Sequence, residues 1–206
     1  MSVRIQERFV SYQGSGLLAG ERQYFVRMQG CSILCPIRSV CDEQSALPLT
    51  GGELLTPEEI VDAAKSVVAE NGWLHLTGGE PMSQKEAVYA ILSEAKKADL
   101  RVHMQTSGLV LAPRPDFITV SPKVTESGLK HRSGDEMILV YDPAWVSHEV
   151  ARTLYTRTAF KNYFLQPLWV DGECNAKETV EFCETMNRCG LNWNITGQLH
   201  KFFGIK

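Results

Sequence analysis

Tyr24-Phe25-Val26-Arg27-Met28-Gln29-Gly30-Cys31-Ser32-Ile33-Leu34-Cys35-Pro36-Ile37-Arg38-Ser39-Val40-Cys41-Asp42 joins a strand-like apolar run to a loop with three cysteines inside eleven residues. No histidine lies near this loop. A four-iron cluster normally takes four cysteine ligands, so three thiolates would leave one iron open to a substrate or cofactor. Two other readings are a zinc knuckle and three unrelated buried thiols. Structural zinc wants four ligands, and no fourth is evident here.

A second apolar run, Trp73-Leu74-His75-Leu76, leads into Thr77-Gly78-Gly79-Glu80-Pro81. Glycines let backbone approach a ligand closely, and a carboxylate offsets an ammonium. A cysteine triad after one strand with Gly-Gly-Glu-Pro after the next resembles the radical S-adenosylmethionine (SAM) enzymes. The resemblance implies that Cys31, Cys35 and Cys41 hold a [4Fe-4S] cluster. It further implies that SAM chelates the fourth iron and that the Gly-Gly-Glu-Pro motif contacts the SAM amino group. The spacing is Cys31-x3-Cys35-x5-Cys41, against the family's usual Cys-x3-Cys-x2-Cys, so three residues are inserted before the last ligand.

The 206 residues suit one domain with a single core, residues 1–206. Apolar content of 44% and charged content of 22% are those of an ordinary globular protein. A net charge of −3 makes no case for a nucleic-acid or anionic-membrane partner. The N-terminal residues lack a basic region followed by an apolar segment, and no apolar run approaches ~18 residues, so a cytoplasmic protein is expected. The six cysteines do not suggest a secreted disulfide framework in a chain of this length.

The periodicity predicts an edge strand in residues 1–10 and a turn-rich loop at Ser11-Tyr12-Gln13-Gly14-Ser15-Gly16. Thr56-Pro57-Glu58-Glu59 is a helix start with a capping box, and helical spacing runs on to about Glu70. Further helices are predicted over 84–98, 144–157 and 176–188, the last terminated by Gly190. Strands are predicted at 73–77, 101–106, 116–120, 136–141 and 162–166, with a short one within 191–196. No helix fits between the strands at 101–106 and 116–120. Strand–helix alternation implies an α/β fold with a parallel sheet and right-handed crossovers. About six parallel strands with a truncated helix set suggest an incomplete (β/α) barrel, whose sites lie at the strand C-termini. A flavodoxin-like open sheet is the alternative.

The resemblance narrows to the 7-carboxy-7-deazaguanine synthase family of small radical SAM enzymes, which act in queuosine-type deazapurine biosynthesis. The matching pieces are Ser11 to Gly16, Phe25 to Cys31, Leu76 to Pro81, Gln105 to Gly108, Ser121-Pro122-Lys123, Leu165-Gln166-Pro167 and Gln198-Leu199-His200-Lys201. They follow the family's order over nearly the whole chain. The implied reaction converts 6-carboxy-5,6,7,8-tetrahydropterin to 7-carboxy-7-deazaguanine with loss of ammonia. A 5′-deoxyadenosyl radical derived from SAM would start it, and Mg²⁺ would assist. The family also implies a homodimer and an electron donor, of flavodoxin type or other.

By motif, Gly79, Glu80, Ser121, Pro122, Lys123, Gln166 and Pro167 would line SAM, flanked by Val40 and Asp42. Tyr12, Gln13, Gly14 and Thr77 would contact the pterin, and Thr77 counts among the catalytic residues. Arg27 could pair bidentately with the substrate carboxylate, or be an ordinary strand residue. His200 is either a base or a packing and hydrogen-bonding histidine. The final carboxylate, on Lys206, would reach the substrate. Three positions depart from the family: Ser15 and Gln105 each replace a Glu, and Glu43 replaces the Thr that binds Mg²⁺, where it is expected to be a metal ligand. Cys174, Cys183 and Cys189 spread over a helix and do not read as a second cluster site. Competing functions are another small radical SAM enzyme, such as a glycyl-radical activase, and a non-enzymatic three-cysteine metal-binding module.

Overall fold

The computed structural model describes residues 1–206. Eleven strands and five α-helices follow along the chain. They run β1 (Val3–Tyr12), β2 (Arg22–Met28), β3 (Glu53–Leu55), α1 (Pro57–Lys65), β4 (Trp73–Gly78), α2 (Lys85–Lys97), β5 (Arg101–Thr106) and β6 (Phe117–Val120). The second half holds β7 (Ser133–Tyr141), α3 (His148–Thr156), β8 (Ala159–Pro167), β9 (Trp169–Val170), β10 (Glu173–Cys174), α4 (Ala176–Arg188), β11 (Asn194–Ile195) and α5 (Leu199–Phe203).

One nine-stranded sheet has the order β11-β8-β7-β6-β5-β4-β2-β1-β3, and β9 and β10 form a separate small hairpin. From β2 to β11 every neighbouring pair in this sheet is parallel, whereas β1 and β3 are antiparallel additions. The parallel strands predicted from alternation are therefore present in sequence order along the sheet, an α/β arrangement consistent with an incomplete barrel.

Residue alternation assigns each strand two faces. Tyr24, Val26, Met28, Leu74, Leu76, Val102, Met104, Ile118, Val120, Met137, Leu139 and Leu165 belong to the apolar core packed under the helices. The opposite face carries Gln23, Phe25, Arg27, His75, Thr77, His103, Gln105, Thr119 and Glu136, a far more polar set. That face is not covered by helices and surrounds the cavity described below.

Helix α1 begins as its sequence requires. Thr56 N donates to Glu59 Oε2 at 2.7 Å and Glu59 N donates back to Thr56 Oγ1 at 3.2 Å, the reciprocal capping box. It ends at Lys65 instead of about Glu70, because the chain must reverse to enter β4, with Asn71 at φ +56 in that turn. Helix α3 is also shorter than expected: Ser147 caps it by accepting from Val150 N at 3.2 Å. Residues 1–10 are not an edge strand, since β3 pairs outside β1 through Val3↔Leu55 and its neighbours. The strand β3 is too short for its periodicity to stand out. As expected, no helix joins β5 to β6. Gly108, at φ +76, starts that link and its carbonyl accepts from Lys130 N and His131 N, both at 2.9 Å.

Candidate active site

A cavity of about 620 Å³ opens at the C-terminal ends of the parallel strands. Strand register sets its centre: Arg27 on β2 lies beside Thr77 on β4, with Phe25 beside His75 one step deeper. Of the residues expected to act in the site, all line this cavity except Pro122 and Pro167. Those two prolines sit between lining neighbours, Ser121 and Lys123 in one case and Gln166 and Leu168 in the other.

At one end stand Cys31, Cys35 and Cys41, all partly buried, with Val40 and Asp42 from the same loop. Burial raises the Cys41 thiol against an opposing backbone hydrogen bond at Glu43, and the charges of Cys35, Asp42 and Glu43 add to the rise. Lys123 faces this group. Burial lowers its ammonium, while the nearby thiols and Glu80 act in the opposite sense. Its Nζ donates to Ser121 Oγ at 2.6 Å and to the Ser121 carbonyl at 3.1 Å.

The Gly-Gly-Glu segment is pressed onto the end of β2. Gly79 N donates to Met28 O at 3.1 Å and Glu80 N to Gly30 O at 3.0 Å. Gly78 is at φ +135, and a Cβ there would strike the Met28 backbone; one on Gly79 would lie 2.5 Å from Gly30 O. Only glycine fits this close approach. The Glu80 carboxylate is buried and accepts from Thr106 Oγ1 at 2.6 Å, Ser107 N at 2.8 Å and Met82 N at 3.0 Å. Three donors fix its position.

Beside the thiol loop, Arg27 is not a free fork. Its Nε donates to Glu7 Oε1 at 2.9 Å and its Nη2 to Glu43 Oε1 at 2.8 Å, and it lies 5.7 Å from the Phe9 ring centroid. Burial alone would raise Glu7, but hydrogen bonds from Lys206 and Arg27 outweigh it and hold the carboxyl below its ordinary value. Glu43 is pushed up by burial, with Arg27 pulling the other way. Glu43 thus faces inward against Arg27, with Oε2 the oxygen that remains for a cation.

The tail closes this end. Leu199 N donates to Gly14 O at 2.8 Å, and a Cβ on Gly14 would lie 2.5 Å from His200 Nδ1. Asp42 of the thiol loop accepts from Gln198 Nε2 at 2.9 Å and Lys201 Nζ at 2.7 Å. Burial lowers the His200 imidazole, and Lys201 adds to the effect, so it is neutral near pH 7. The Lys206 ammonium pairs with Glu7, and its backbone oxygen accepts from Ser11 Oγ. Tyr12, 51% exposed, stands at the rim, whereas Gln13 and Ser15 are buried in the wall.

Sequence reasoning missed Glu7, Phe9, Phe25, His75, Trp169, Gln198 and Lys201, all of which line the cavity. Alternation held a signal for several of them: Glu7 and Phe9 share a face of β1, and Phe25 and His75 precede Arg27 and Thr77 by two residues.

Residues 13–114 match a family described as a 4Fe-4S single cluster domain. The chain is 30% identical over 220 residues to the 7-carboxy-7-deazaguanine synthase of Bradyrhizobium diazoefficiens, covering the full length of both. It is 29% identical over 213 residues to the enzyme of that name from Synechocystis, covering 100% of this chain and 95% of that one. The crystal structure of QueE from Escherichia coli shares the fold, with a TM-score of 0.68 and 20% identity over 96% of this chain and 94% of that chain. With full-length similarity joined to the thiol loop, the glycine cradle and the common cavity, the chain belongs to the 7-carboxy-7-deazaguanine synthase family.

Proposed function

We propose that the chain converts 6-carboxy-5,6,7,8-tetrahydropterin to 7-carboxy-7-deazaguanine, using a [4Fe-4S] cluster and SAM. The observation that carries this reading is one cavity lined together by the three thiols, the glycine cradle, Arg27, His200 and Lys206. The donor set fits a cluster better than one metal ion. No three His, Cys, Asp or Glu side chains converge closely enough for a single ion, whereas a cubane holds its thiolates apart. Bound there, a reduced cluster with SAM would supply the radical chemistry for hydrogen abstraction from the pterin.

The chain's own residues do the rest. Cys31, Cys35 and Cys41 hold the cluster. Gly79 leaves room for the SAM amino group at the backbone, and Glu80, oriented by Thr106 and Ser107, supplies the opposing charge. Ser121, Lys123 and Gln166 line SAM from the far wall, with Pro122 and Pro167 shaping the turns beside them. Gln13, Gly14, Tyr12 and Thr77 bound the pterin. Arg27 offers its remaining N–H groups to the substrate carboxylate, with Glu7 and Glu43 setting its orientation. His200, which lines the cavity beside Gly14, is the group we assign to accept or return a proton. Glu43 Oε2 is the protein oxygen we assign to Mg²⁺, which keeps most of its waters.

The test is anaerobic reconstitution, then incubation with SAM, a reductant and the carboxytetrahydropterin, with mass detection of product. A brown protein yielding the deazaguanine is the expected result; a colourless zinc protein would overturn the reading.

A further inference from the structure

His75 sits on the cavity floor with 1% of its surface exposed, and neither ring nitrogen has a hydrogen-bond partner. An orphaned buried polar group is costly enough to call for an explanation. The surrounding layer shows that the orphan is not a loose side chain. The His75 ring stacks on His103 with centroids 3.9 Å apart and tilts 42° against Phe25 at 4.6 Å.

His103 is held in turn. Its Nε2 lies 2.9 Å from Thr119 Oγ1, and Thr119 donates to Glu136 Oε1 at 2.6 Å. Glu136 Oε2 accepts from Leu17 N at 2.7 Å, tying the layer to the loop that carries Gln13, Gly14 and Ser15. With the Thr119 proton given to Glu136, His103 donates through Nε2 and accepts at Nδ1. That calls for the amide nitrogen of Gln23, 3.0 Å away, on the Nδ1 side. The two ends of an amide are interchangeable in shape, and this choice puts Gln23 Oε1, in place of Nε2, at the position without a partner. Two buried polar groups of the layer then lack a protein partner, Gln23 Oε1 and the imidazole that lines the cavity.

We infer that His75 is a substrate-contacting residue: a fixed, uncharged imidazole that hydrogen-bonds the polar edge of the pterin ring bound above it. The inference rests on the proposed function and adds a specificity-determining residue to that site. A neutral imidazole offers one donor and one acceptor, which matches the mixed donor–acceptor edge of an amino-oxo heterocycle and not a simple anion. The stack on His103 and Phe25 presents it at one orientation, and Thr77, two residues on along β4, lines the same cavity.

The test compares the parent with His75→Val and His75→Gln as anaerobically reconstituted holoproteins, with iron content per chain reporting folding. Valine suits the strand and removes both polar atoms; glutamine keeps a donor and an acceptor. Binding of 6-carboxypterin, followed by its fluorescence, is measured alongside KM and kcat with the tetrahydro substrate. His75→Val is expected to weaken pterin binding roughly tenfold, with the loss in KM more than in kcat, and His75→Gln to recover most of it. Affinity of His75→Val within about twofold of the parent would overturn the inference, since it would mean that only water meets this ring. Product formed by the parent together with unchanged His75→Val affinity would leave the reaction standing and remove His75. Pterin binding that depends on His75 without deazaguanine production would do the reverse. A parent that binds no pterin would overturn both.

Discussion

Arg27 shows how a motif residue acquires its role from neighbours that the motif does not include. It is pinned between Glu7 and Glu43, so only part of its fork is left for a substrate. Arg27→Lys is expected to weaken substrate binding while leaving iron content normal, because a point charge cannot satisfy two carboxylates and a substrate together; titration with the pterin checks this. Glu43→Ala is expected to raise the Mg²⁺ concentration for half-maximal turnover several-fold, since a carboxylate oxygen is a good ligand for a hard cation. Identical metal titrations of variant and parent would remove Glu43 from the ion. The buried histidines predict a pH effect. Burial lowers His103 to about 3 and pushes His75 down as well. An unfolded histidine takes its proton near pH ~6.5. Between those values the unfolded chain binds more protons, so stability holds above about pH 6.5 and declines as pH falls through the window. His103 contributes up to about 1.4 kcal/mol per pH unit there. Glu136, raised by burial, works in the opposite sense. Denaturant melts from pH ~7 to ~5 should show a shallower slope for His103→Gln than for the parent; equal slopes would contradict this account.

At the scale of elements, α5 is the case where a five-residue helix acts through its docking, not its propensity. Contacts to Gly14 and Asp42, with Lys201 lying 5.3 Å from the Trp169 ring centroid, bind it across two loops of the cavity. The last residue ends against Ser11 and Glu7. A tag after Lys206 would start beside these contacts, whereas Met1 is 66% exposed. Turnover is therefore expected to suffer more from a C-terminal tag than from an N-terminal one, and equal rates for the two tagged proteins would argue against a working role for the tail.

Across the whole molecule, one sheet separates two chemistries: an apolar core beneath the helices and a polar cavity on the open face. The cysteines divide along the same line. Cys31, Cys35 and Cys41 line the cavity, whereas Cys183 is buried in the core and Cys174 and Cys189 lie elsewhere. Alanine at any of the first three is expected to abolish cluster assembly. Alanine at Cys174, Cys183 or Cys189 is expected to leave iron content per chain intact, though Cys183→Ala should lower stability. A triad variant that keeps a full cluster would sink the ligand assignment.

Sequence by itself determined the parallel strands, the capped start of α1, the missing crossover after β5 and the thiol and glycine motifs. All of these rest on local spacing and on residue chemistry that acts within a few positions. It also determined the family, through short motifs kept in order along the chain. Only the tertiary structure decided that β3 covers β1, that Glu7 and Glu43 share Arg27, and that the tail pins the thiol loop through Asp42. It alone revealed the layer of Gln23, His103, Thr119 and Glu136 beneath His75. Those residues come from separate strands, and each looks ordinary in its own segment. Sheet register and the curvature of the half-barrel bring them together, and the register depends on long-range pairing that no local pattern encodes.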